Sequence, residues 1–291
     1  MSARTEISWA DSTWSPVTGC TKVSPGCAHC YAERIIGRFG HHPNDAHLDK
    51  DFSHVVKHHD RLDIPLHWRK PRRIFVCSMG DLFHEAVSSL FRLKVCDVMQ
   101  DTPWHTYLLL TKRAEEMRAA CLKLWGNAPL PNVWLGVSVE DQQRADERIP
   151  LLLQTLAAVR VVSVEPMLGP VRIPRYYLGP AAVCRCPRSL HKIGPEGSRE
   201  PDWATHSRNC PECGADRPID PGIGWVILGC ESGPRRRYCD PAWMLDVVRQ
   251  CREAGVSCHV KQVHLGTPAK FRVSHDPAEW PEELRVREVP T

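Results

Sequence analysis

The sequence predicts an α/β protein: a complete or partial (β/α) TIM-like barrel of parallel strands with an inserted small zinc-binding module. From residue 72 onward, short apolar runs alternate with amphipathic helical stretches, which is typical of a parallel sheet covered by helices. Residues 172–224 break this alternation and are rich in Pro, Gly and Arg. A doubly wound open sheet is the alternative, but no G-x-G-x-x-G follows the first strand.

The predicted elements follow one another regularly along the chain. Extended pieces at 5–10 and 13–18 lead into a cysteine-rich loop at 14–31. The later apolar runs are 73–77, 106–110, 132–137, 160–164, 225–228 and 257–262. The helical stretches are 31–40, 87–101, 114–125, 141–154 and 241–254. This order predicts a barrel in two parts, 1–171 and 225–291, separated by the insertion at 172–224.

Length, charge and cysteine content indicate the size of the domain and the cellular compartment of the protein. A length of 291 residues suits one large α/β domain with an inserted module, and the net charge of +4 is compatible with nucleic acid without pointing to it. No apolar run approaches a membrane span, and the N-terminus lacks a signal-peptide core. Fourteen cysteines without a secretion signal favour metal ligands in a reducing cytoplasm over disulfides. The sequence therefore predicts a cytoplasmic protein with no membrane partner.

The loop at 14–31 contains a cluster of potential metal-ligating side chains. It contains Cys20, Cys27 and Cys30 among prolines and glycines, without hydrophobic periodicity. Three thiolates are one short of a closed structural zinc site and one short of the usual ligand set of a [4Fe–4S] cluster. A metal centre held by three cysteines keeps an open coordination position, where metal chemistry takes place. The loop is therefore predicted to be reactive rather than structural.

A second cysteine group lies in the insertion at 172–224. Two close pairs separated by a long loop fit a tetrahedral zinc site, and a module this small needs a metal to fold. The predicted zinc ligands are Cys184, Cys186, Cys210 and Cys213. His191 or His206 could replace one ligand, and a free-thiol loop or a second Fe–S cluster are the alternatives.

Polar residues recur just past each predicted strand, where barrel enzymes have their active sites. The set comprises Ser78, Gly80 and Asp81; Thr111, Lys112 and Arg113; Ser138, Glu140 and Asp141; Ser163, Glu165 and Pro166; Glu231, Ser232 and Gly233; and Lys261 and Gln262. Singly, each is more simply explained as a helix cap or an ion-pair partner. Their recurrence in every unit predicts a polar pocket with both signs of charge.

The cysteine motif resembles that of the radical S-adenosylmethionine enzymes, although their usual spacing is C-x3-C-x2-C and this chain has C-x6-C-x2-C followed by Tyr31. The run TEISWADSTWSPVTGCTKVSPGCAHCYAERI is more closely similar to the N-terminus of a phage- and prophage-associated family grouped with these enzymes. The likeness continues through FVCSMGDLFHEAV, LLLTKRAEEM, NVWLGVSVEDQ, VVSVEPMLGPV, WVILGCESGPRRR and VKQV, and so covers most of the chain.

The resemblance implies a set of roles. Cys20, Cys27 and Cys30 would hold a [4Fe–4S] cluster whose fourth iron is chelated by S-adenosylmethionine, the source of a 5′-deoxyadenosyl radical. The residues it suggests for binding S-adenosylmethionine are Ser78, Gly80 and Asp81 near the methionine ammonium, and Ser138, Glu140 and Glu165 near the ribose. Lys112, Glu231 and Cys230 are the candidates for catalysis, and Lys112 could also bind the methionine carboxylate or a substrate phosphate.

The expected activity is modification or repair of a nucleobase or nucleic acid, with a flavodoxin- or ferredoxin-like protein as reductant and, for a phage-encoded chain, the host cytoplasm as location. The alternative is a non-catalytic zinc- and Fe–S-containing nucleic-acid-binding protein, with His29 as a fourth ligand in the first cysteine set. A metal-dependent hydrolase using histidines of 41–70 is disfavoured, because they lack H-E-x-x-H spacing and fit a solvated loop better.

Overall fold

The computed structural model describes residues 5–41, 49–126, 128–179 and 222–290. The chain forms two compact units, which are described separately. Unit one comprises Met1–Ser138, Leu156–Ala158 and Glu231–Arg237, and unit two comprises Val139–Thr155, Val159–Cys230 and Tyr238–Thr291. Within the described ranges, no helix combines the length and the apolar character needed to cross a membrane.

Most of the described strands of unit one form a parallel sheet, and the others form a separate pair. The described strands are β1 (Ser12–Trp14), β2 (Val17–Thr18), β3 (Val56–Lys57), β4 (Arg73–Val76), β5 (Thr106–Thr111) and β6 (Val133–Ser138). The sheet has the order β1-β4-β5-β6, with parallel pairing throughout. β2 and β3 make a separate antiparallel pair. Because the parallel strands share one direction, the loops that follow them leave the sheet at the same edge.

The described part of unit one contains the α-helices α1 (Tyr31–Phe39), α2 (Ser89–Asp101) and α3 (Ala114–Trp125). Ser88 caps α2, its hydroxyl accepting from the Phe91 amide at 3.4 Å. The apolar positions of α2 and α3, among them Val95, Met99 and Met117, are fully buried. Burial of these side chains against the sheet is the main source of stability for such helices.

Unit two repeats the strand–helix alternation. The helices and strands among its described residues are α4 (Gln142–Leu153), β7 (Val159–Val164), β8 (Ile223–Gly229), α5 (Pro241–Ala254), β9 (Ser257–Thr267) and β10 (Lys270–Ser274). β7, β8 and β9 are parallel neighbours, and β10 pairs antiparallel with β9. Asp141 and Asp240 cap the two helices through their side chains, as their positions before α4 and α5 favour.

The α/β class and the alternation of elements are confirmed. The bounds of α3 and α5 agree with the predicted stretches, and α1 ends one residue earlier than predicted. The prediction that 257–262 is the last strand is wrong, since β9 extends to Thr267 and β10 follows it. Closure into a barrel and the boundaries at 171 and 224 stay predictions. The proposed zinc ligands Cys184, Cys186, Cys210 and Cys213 lie outside the described residues.

The histidines of 41–70 do not all belong to a solvated loop. His54 and His59 are exposed, but His41 and His58 are buried. The Thr18 hydroxyl lies 2.7 Å from His41 Nδ1 and 2.7 Å from His58 Nε2. His41 Nε2 lies 2.9 Å from the Asp51 carbonyl oxygen and donates to it, so its Nδ1 accepts from Thr18. These buried rings fasten the segment to β2 and so have a structural role.

Candidate functional site

The cysteine loop of unit one runs from the end of β2 to the start of α1. A 3-10 turn at Pro25–Cys27 folds the middle of the loop, and Cys30 precedes α1 as its N-cap residue. The Cys20 amide donates to the Phe52 carbonyl at 2.8 Å, which fixes the start of the loop. Cys20, Cys27 and Cys30 are all free thiols and are partly exposed.

Two glycines allow the backbone to approach closely just before the first cysteine. Gly19 has φ +86°, and a Cβ there would lie 1.9 Å from the His54 carbonyl oxygen. A Cβ on Gly80 would lie 2.9 Å from the Val17 carbonyl oxygen. Gly19 and Gly80 form a parallel β-bridge, and the Gly19 amide donates to the Met79 carbonyl at 2.9 Å. The turn after β4 is therefore held against the first cysteine by backbone contacts.

A buried charged network lies at the ends of β4 and β5. Arg113 donates from Nη1 to Cys20 Sγ at 3.2 Å and from Nη2 to Thr21 Oγ1 at 2.7 Å. Asp81 Oδ2 accepts from the Thr111 hydroxyl at 2.7 Å and lies 3.5 Å from Arg113 Nη1. The segments that follow β2, β4 and β5 thus meet at the first cysteine.

The environment of Cys20 favours its neutral form in the metal-free chain. Burial raises the pKa of its thiol to about 11, the charge of Asp81 adds to the effect, and Arg113 opposes it. A thiol in this state must lose its proton when a metal binds, so the binding of a metal would release a proton.

His84 completes the polar surroundings of this network as a neutral ring. Its Nδ1 accepts from the Ala86 amide at 3.1 Å, so Nε2 carries the proton and donates to Thr21 Oγ1 at 2.9 Å. Burial and the positive charge of Arg113 lower the pKa of His84. Thr21 therefore accepts from both His84 and Arg113.

The other end of the cysteine loop is fastened by Glu231. His29, between the second and third cysteines, places Nδ1 3.0 Å from Glu231 Oε2. Arg237 donates to both oxygens of Glu231, with Nη2 at 2.6 Å from Oε1, and its Nη2 also donates to the Pro25 carbonyl at 3.0 Å. Glu231 is buried, whereas His29 and Arg237 remain partly exposed.

The site residues predicted from sequence fall into both units. Unit one contains Ser78, Gly80, Asp81, Lys112, Ser138 and Glu231, with the three loop cysteines. Ser78 Oγ lies 3.3 Å from Ser15 Oγ, and the Ser78 carbonyl accepts from the Tyr31 hydroxyl. Lys112 follows β5 directly and is half-buried, while Ser138 ends β6 and is buried.

Unit two contains Glu140, Glu165 and Cys230, each engaged in a local contact. Glu140 is fully buried and accepts from Arg148 Nη1 at 2.9 Å. Glu165 pairs with Lys261. Cys230 is buried, its backbone carbonyl accepts from Gln262, and burial raises the pKa of its thiol strongly. The environment of Cys230 is therefore that of a packed core thiol.

Sequence reasoning gave no role to three of the residues around the cysteines. Thr21 and His84 were not singled out, and Arg113 appeared only as a polar residue after a strand. Their positions carried a weak signal, because Thr21 follows the first cysteine and His84 lies in the segment after β4. The contacts between them depend on tertiary structure and have no counterpart in sequence spacing.

The donor set around Cys20 and Cys30 suits a thiolate-bound metal centre in composition. Cys20 and Cys30 pack with Met79 against the buried cluster of Ala32, Ile36 and Phe52, and Arg113 supplies a charged hydrogen bond to sulfur. Among the described residues, however, no three His, Cys, Asp or Glu side chains are arranged as a set that could hold a metal ion. Ligation by all three cysteines therefore requires their side chains to adjust within the loop.

Fold and site together define an α/β protein with a three-cysteine loop between β2 and α1. The chain belongs to the family described as "Protein of unknown function (DUF5131)", whose model matches residues 4–279. No curated protein and no solved structure matches the chain.

Proposed function

We propose that the chain is a radical S-adenosylmethionine enzyme of the (β/α)-barrel class that modifies or repairs a nucleobase or nucleic acid. The observation that carries the proposal is the set of free thiols Cys20, Cys27 and Cys30 in one loop between β2 and α1, with the buried Arg113 donating a hydrogen bond to Cys20. Three cysteine ligands leave one iron of a [4Fe–4S] cluster open to an outside ligand.

The cluster would be held by the three loop thiolates and, when bound, supplies one electron for the reductive cleavage of S-adenosylmethionine. Arg113 and the apolar contact with Phe52 would shield the sulfur of Cys20 from water. Ser78 and Lys112 are partly exposed and are proposed to contact the methionine part of the ligand. Asp81 already accepts from Thr111 and from the Phe83 amide, which favours a role in holding Arg113 over one in binding the ammonium group.

The proposed substrate class is supported by positive charge near the cysteines along the chain. The exposed cations beside the cysteines in sequence are Lys22, Arg34 and Arg38, and Lys22 also pairs with Glu33 at 3.0 Å. Cations at these positions suit a phosphate-bearing substrate. A flavodoxin- or ferredoxin-like protein is the proposed electron donor, because reductive cleavage consumes one electron per event.

The test uses protein reconstituted without oxygen, reduced and incubated with S-adenosylmethionine. We expect iron and sulfide in the wild type and release of 5′-deoxyadenosine, measured by mass spectrometry. The triple substitution Cys20→Ala, Cys27→Ala, Cys30→Ala should abolish both, whereas Cys96→Ala, a buried cysteine on α2, should retain them. A wild-type protein that binds no iron or sulfide would exclude the radical enzyme.

One observation favours a second candidate, a non-catalytic zinc-containing nucleic-acid-binding protein. His29 directs Nδ1 to the Glu231 carboxylate at 3.0 Å, and metal-ligating histidines commonly donate their other ring N–H to a carboxylate. His29 Nε2 could then complete a site of three cysteines and one histidine. This candidate predicts one zinc per chain at the loop, lost in His29→Ala, whereas the radical enzyme predicts iron content that His29→Ala leaves intact.

A further inference from the structure

Arg113 is a buried guanidinium whose donors converge on the first cysteine and its neighbour. Its side chain is 4% exposed. Nη1 donates to Cys20 Sγ at 3.2 Å, and Nη2 donates to the Thr21 carbonyl at 3.1 Å and to Thr21 Oγ1 at 2.7 Å. Nε lies 3.4 Å from a carboxylate oxygen of the exposed Glu85. The planar fork of a guanidinium fixes all these directions together.

The position of Arg113 is itself set by the ends of two strands. Its backbone amide donates to Thr111 Oγ1 at 2.9 Å, and the Thr111 hydroxyl donates to Asp81 at 2.7 Å. Asp81 Oδ1 accepts from the Phe83 amide at 2.9 Å, and Oδ2 lies 3.5 Å from Arg113 Nη1. The guanidinium is thus held by charge and by hydrogen bonds before any ligand binds.

A hydrogen bond from a buried cation to a cluster thiolate has a defined electronic consequence. Hydrogen bonds to the sulfurs and the net charge around a cluster are among the factors that set its reduction potential. Both act in the same direction here: the N–H group withdraws electron density from sulfur, and the positive charge stabilises the more negative, reduced cluster. The reduced cluster is the electron donor in the proposed reaction.

We propose that Arg113 is the positioning residue that orients the Cys20 ligand and raises the reduction potential of the cluster. This inference rests on the proposed function, because it requires an iron–sulfur centre at the loop. Arg113 contacts the ligating sulfur and not the reacting atoms, so it acts through Cys20.

A neighbouring arginine provides a matched control. Arg92 is also partly buried, and it donates from Nε to the Leu82 carbonyl at 3.0 Å and from Nη2 to the His84 carbonyl at 2.7 Å. It therefore holds the same segment after β4, with no cysteine among these contacts. Substitution of Arg92 removes contacts with the segment after β4 alone. Substitution of Arg113 removes contacts with that segment and also the hydrogen bond to Cys20 Sγ.

The experiment compares the wild type with Arg113→Lys, Arg113→Met and Arg92→Lys after reconstitution without oxygen. Iron and sulfide content reports assembly, and a redox titration followed by visible absorption and electron paramagnetic resonance reports the midpoint potential. We expect Arg113→Met to shift the midpoint to more negative values, Arg113→Lys to shift it by less, and Arg92→Lys to retain the wild-type potential. Arg113→Lys keeps a positive charge, so it measures the effect if Arg113→Met fails to fold.

The outcomes separate the inference from the function on which it rests. A wild type without iron and sulfide would overturn both. A wild type with an intact cluster, combined with an unchanged midpoint in the Arg113 variants, would overturn the inference alone and leave the proposed function standing. An equal shift of the midpoint potential in Arg92→Lys would also overturn the inference, because the shift would then come from the segment after β4 and not from the hydrogen bond to Cys20.

Discussion

His29 Nδ1 and Glu231 Oε2 lie 3.0 Å apart, across a sequence separation of 202 residues. The carboxylate also accepts from the Arg237 amide at 2.7 Å and from its guanidinium. Burial by itself would raise the pKa of Glu231, but the hydrogen bonds from Arg237 and His29 outweigh it and lower that pKa. The segment Glu231–Arg237 therefore holds the second half of the cysteine loop through a charged carboxylate.

Glu231→Gln should destabilise unit one and loosen the cysteine loop. The Gln side chain has one acceptor oxygen where Glu231 has two, and it carries no charge. Some of the hydrogen bonds from Arg237 and His29 are therefore lost. Because Arg237 is 34% exposed, we expect a loss of about 1–3 kcal/mol in the free energy of unfolding, less than for a fully buried pair. Urea denaturation of the variant and the wild type measures the difference in the free energy of unfolding. Glu253→Gln, an exposed carboxylate on α5, should change stability by less than about 0.5 kcal/mol.

Gly19→Ala should disrupt the start of the cysteine loop. The new methyl group would lie 1.9 Å from the His54 carbonyl oxygen at a φ of +86°, so the backbone must move. Strain and overpacking together predict a loss of about 2–5 kcal/mol in the free energy of unfolding. Gly37→Ala in α1 meets no atom within 4 Å and should stabilise the protein by about 0.5–1 kcal/mol. Thermal unfolding of both variants should give a lower melting temperature for Gly19→Ala than for Gly37→Ala. Equal melting temperatures would contradict the prediction.

The alternation of elements could be predicted because it depends on local pattern. α3 and α5 carry helical apolar periodicity, which burial against a sheet requires of any helix of this kind. β10 is not predicted from fully apolar runs because its sequence, KFRVS, alternates apolar and polar residues in the manner of a half-exposed strand. The antiparallel pairing with β9 also depends on the turn between them and not on helical spacing.

Of the residues in the candidate site, the three loop cysteines are the ones that stand out in the sequence. Cys20, Cys27 and Cys30 are close in sequence, so their spacing carries the signal directly. The side chains that surround them come from distant segments, as Arg113 and Glu231 illustrate. Polar residues after strands can point into the site, cap a helix or form a buried pair, and sequence alone does not distinguish these. Asp141 caps α4, for example, whereas Glu140 forms an ion pair.

The buried pair of Glu140 and Arg148 should be strongly coupled. Removing the guanidinium in Arg148→Met leaves a carboxylate with 0% exposure without its cationic partner, which predicts a loss of about 3–5 kcal/mol. The double substitution Glu140→Gln, Arg148→Met removes both charges and should recover part of that loss. A double-mutant cycle measured by urea denaturation gives the coupling energy, and additive losses would show that the pair is uncoupled. Arg249→Met, exposed on α5, is the control.

The stability of unit two should depend on pH through Glu279. Arg272 donates to both carboxylate oxygens at 2.9 Å, and the Ser274 hydroxyl also donates to one of them. These hydrogen bonds lower the pKa of Glu279 from its ordinary 4.5 to about 2. A carboxyl group with a lowered pKa in the folded state stabilises the fold fully above its unfolded value. That contribution is lost as the pH falls from about 4.5 towards about 2.

Glu279→Gln should therefore lower the free energy of unfolding at pH 6 and have a smaller effect near pH 2.5, where the wild type has lost most of the contribution. Urea denaturation at the two pH values measures the difference. Glu282→Gln, an exposed carboxylate in the same segment, is the matched control for the change of charge. A Glu279→Gln variant that is as stable as the wild type at pH 6 would mean that water replaces the contacts with Arg272 and Ser274 at no net cost. That outcome, which is common for exposed ion pairs, would contradict the prediction.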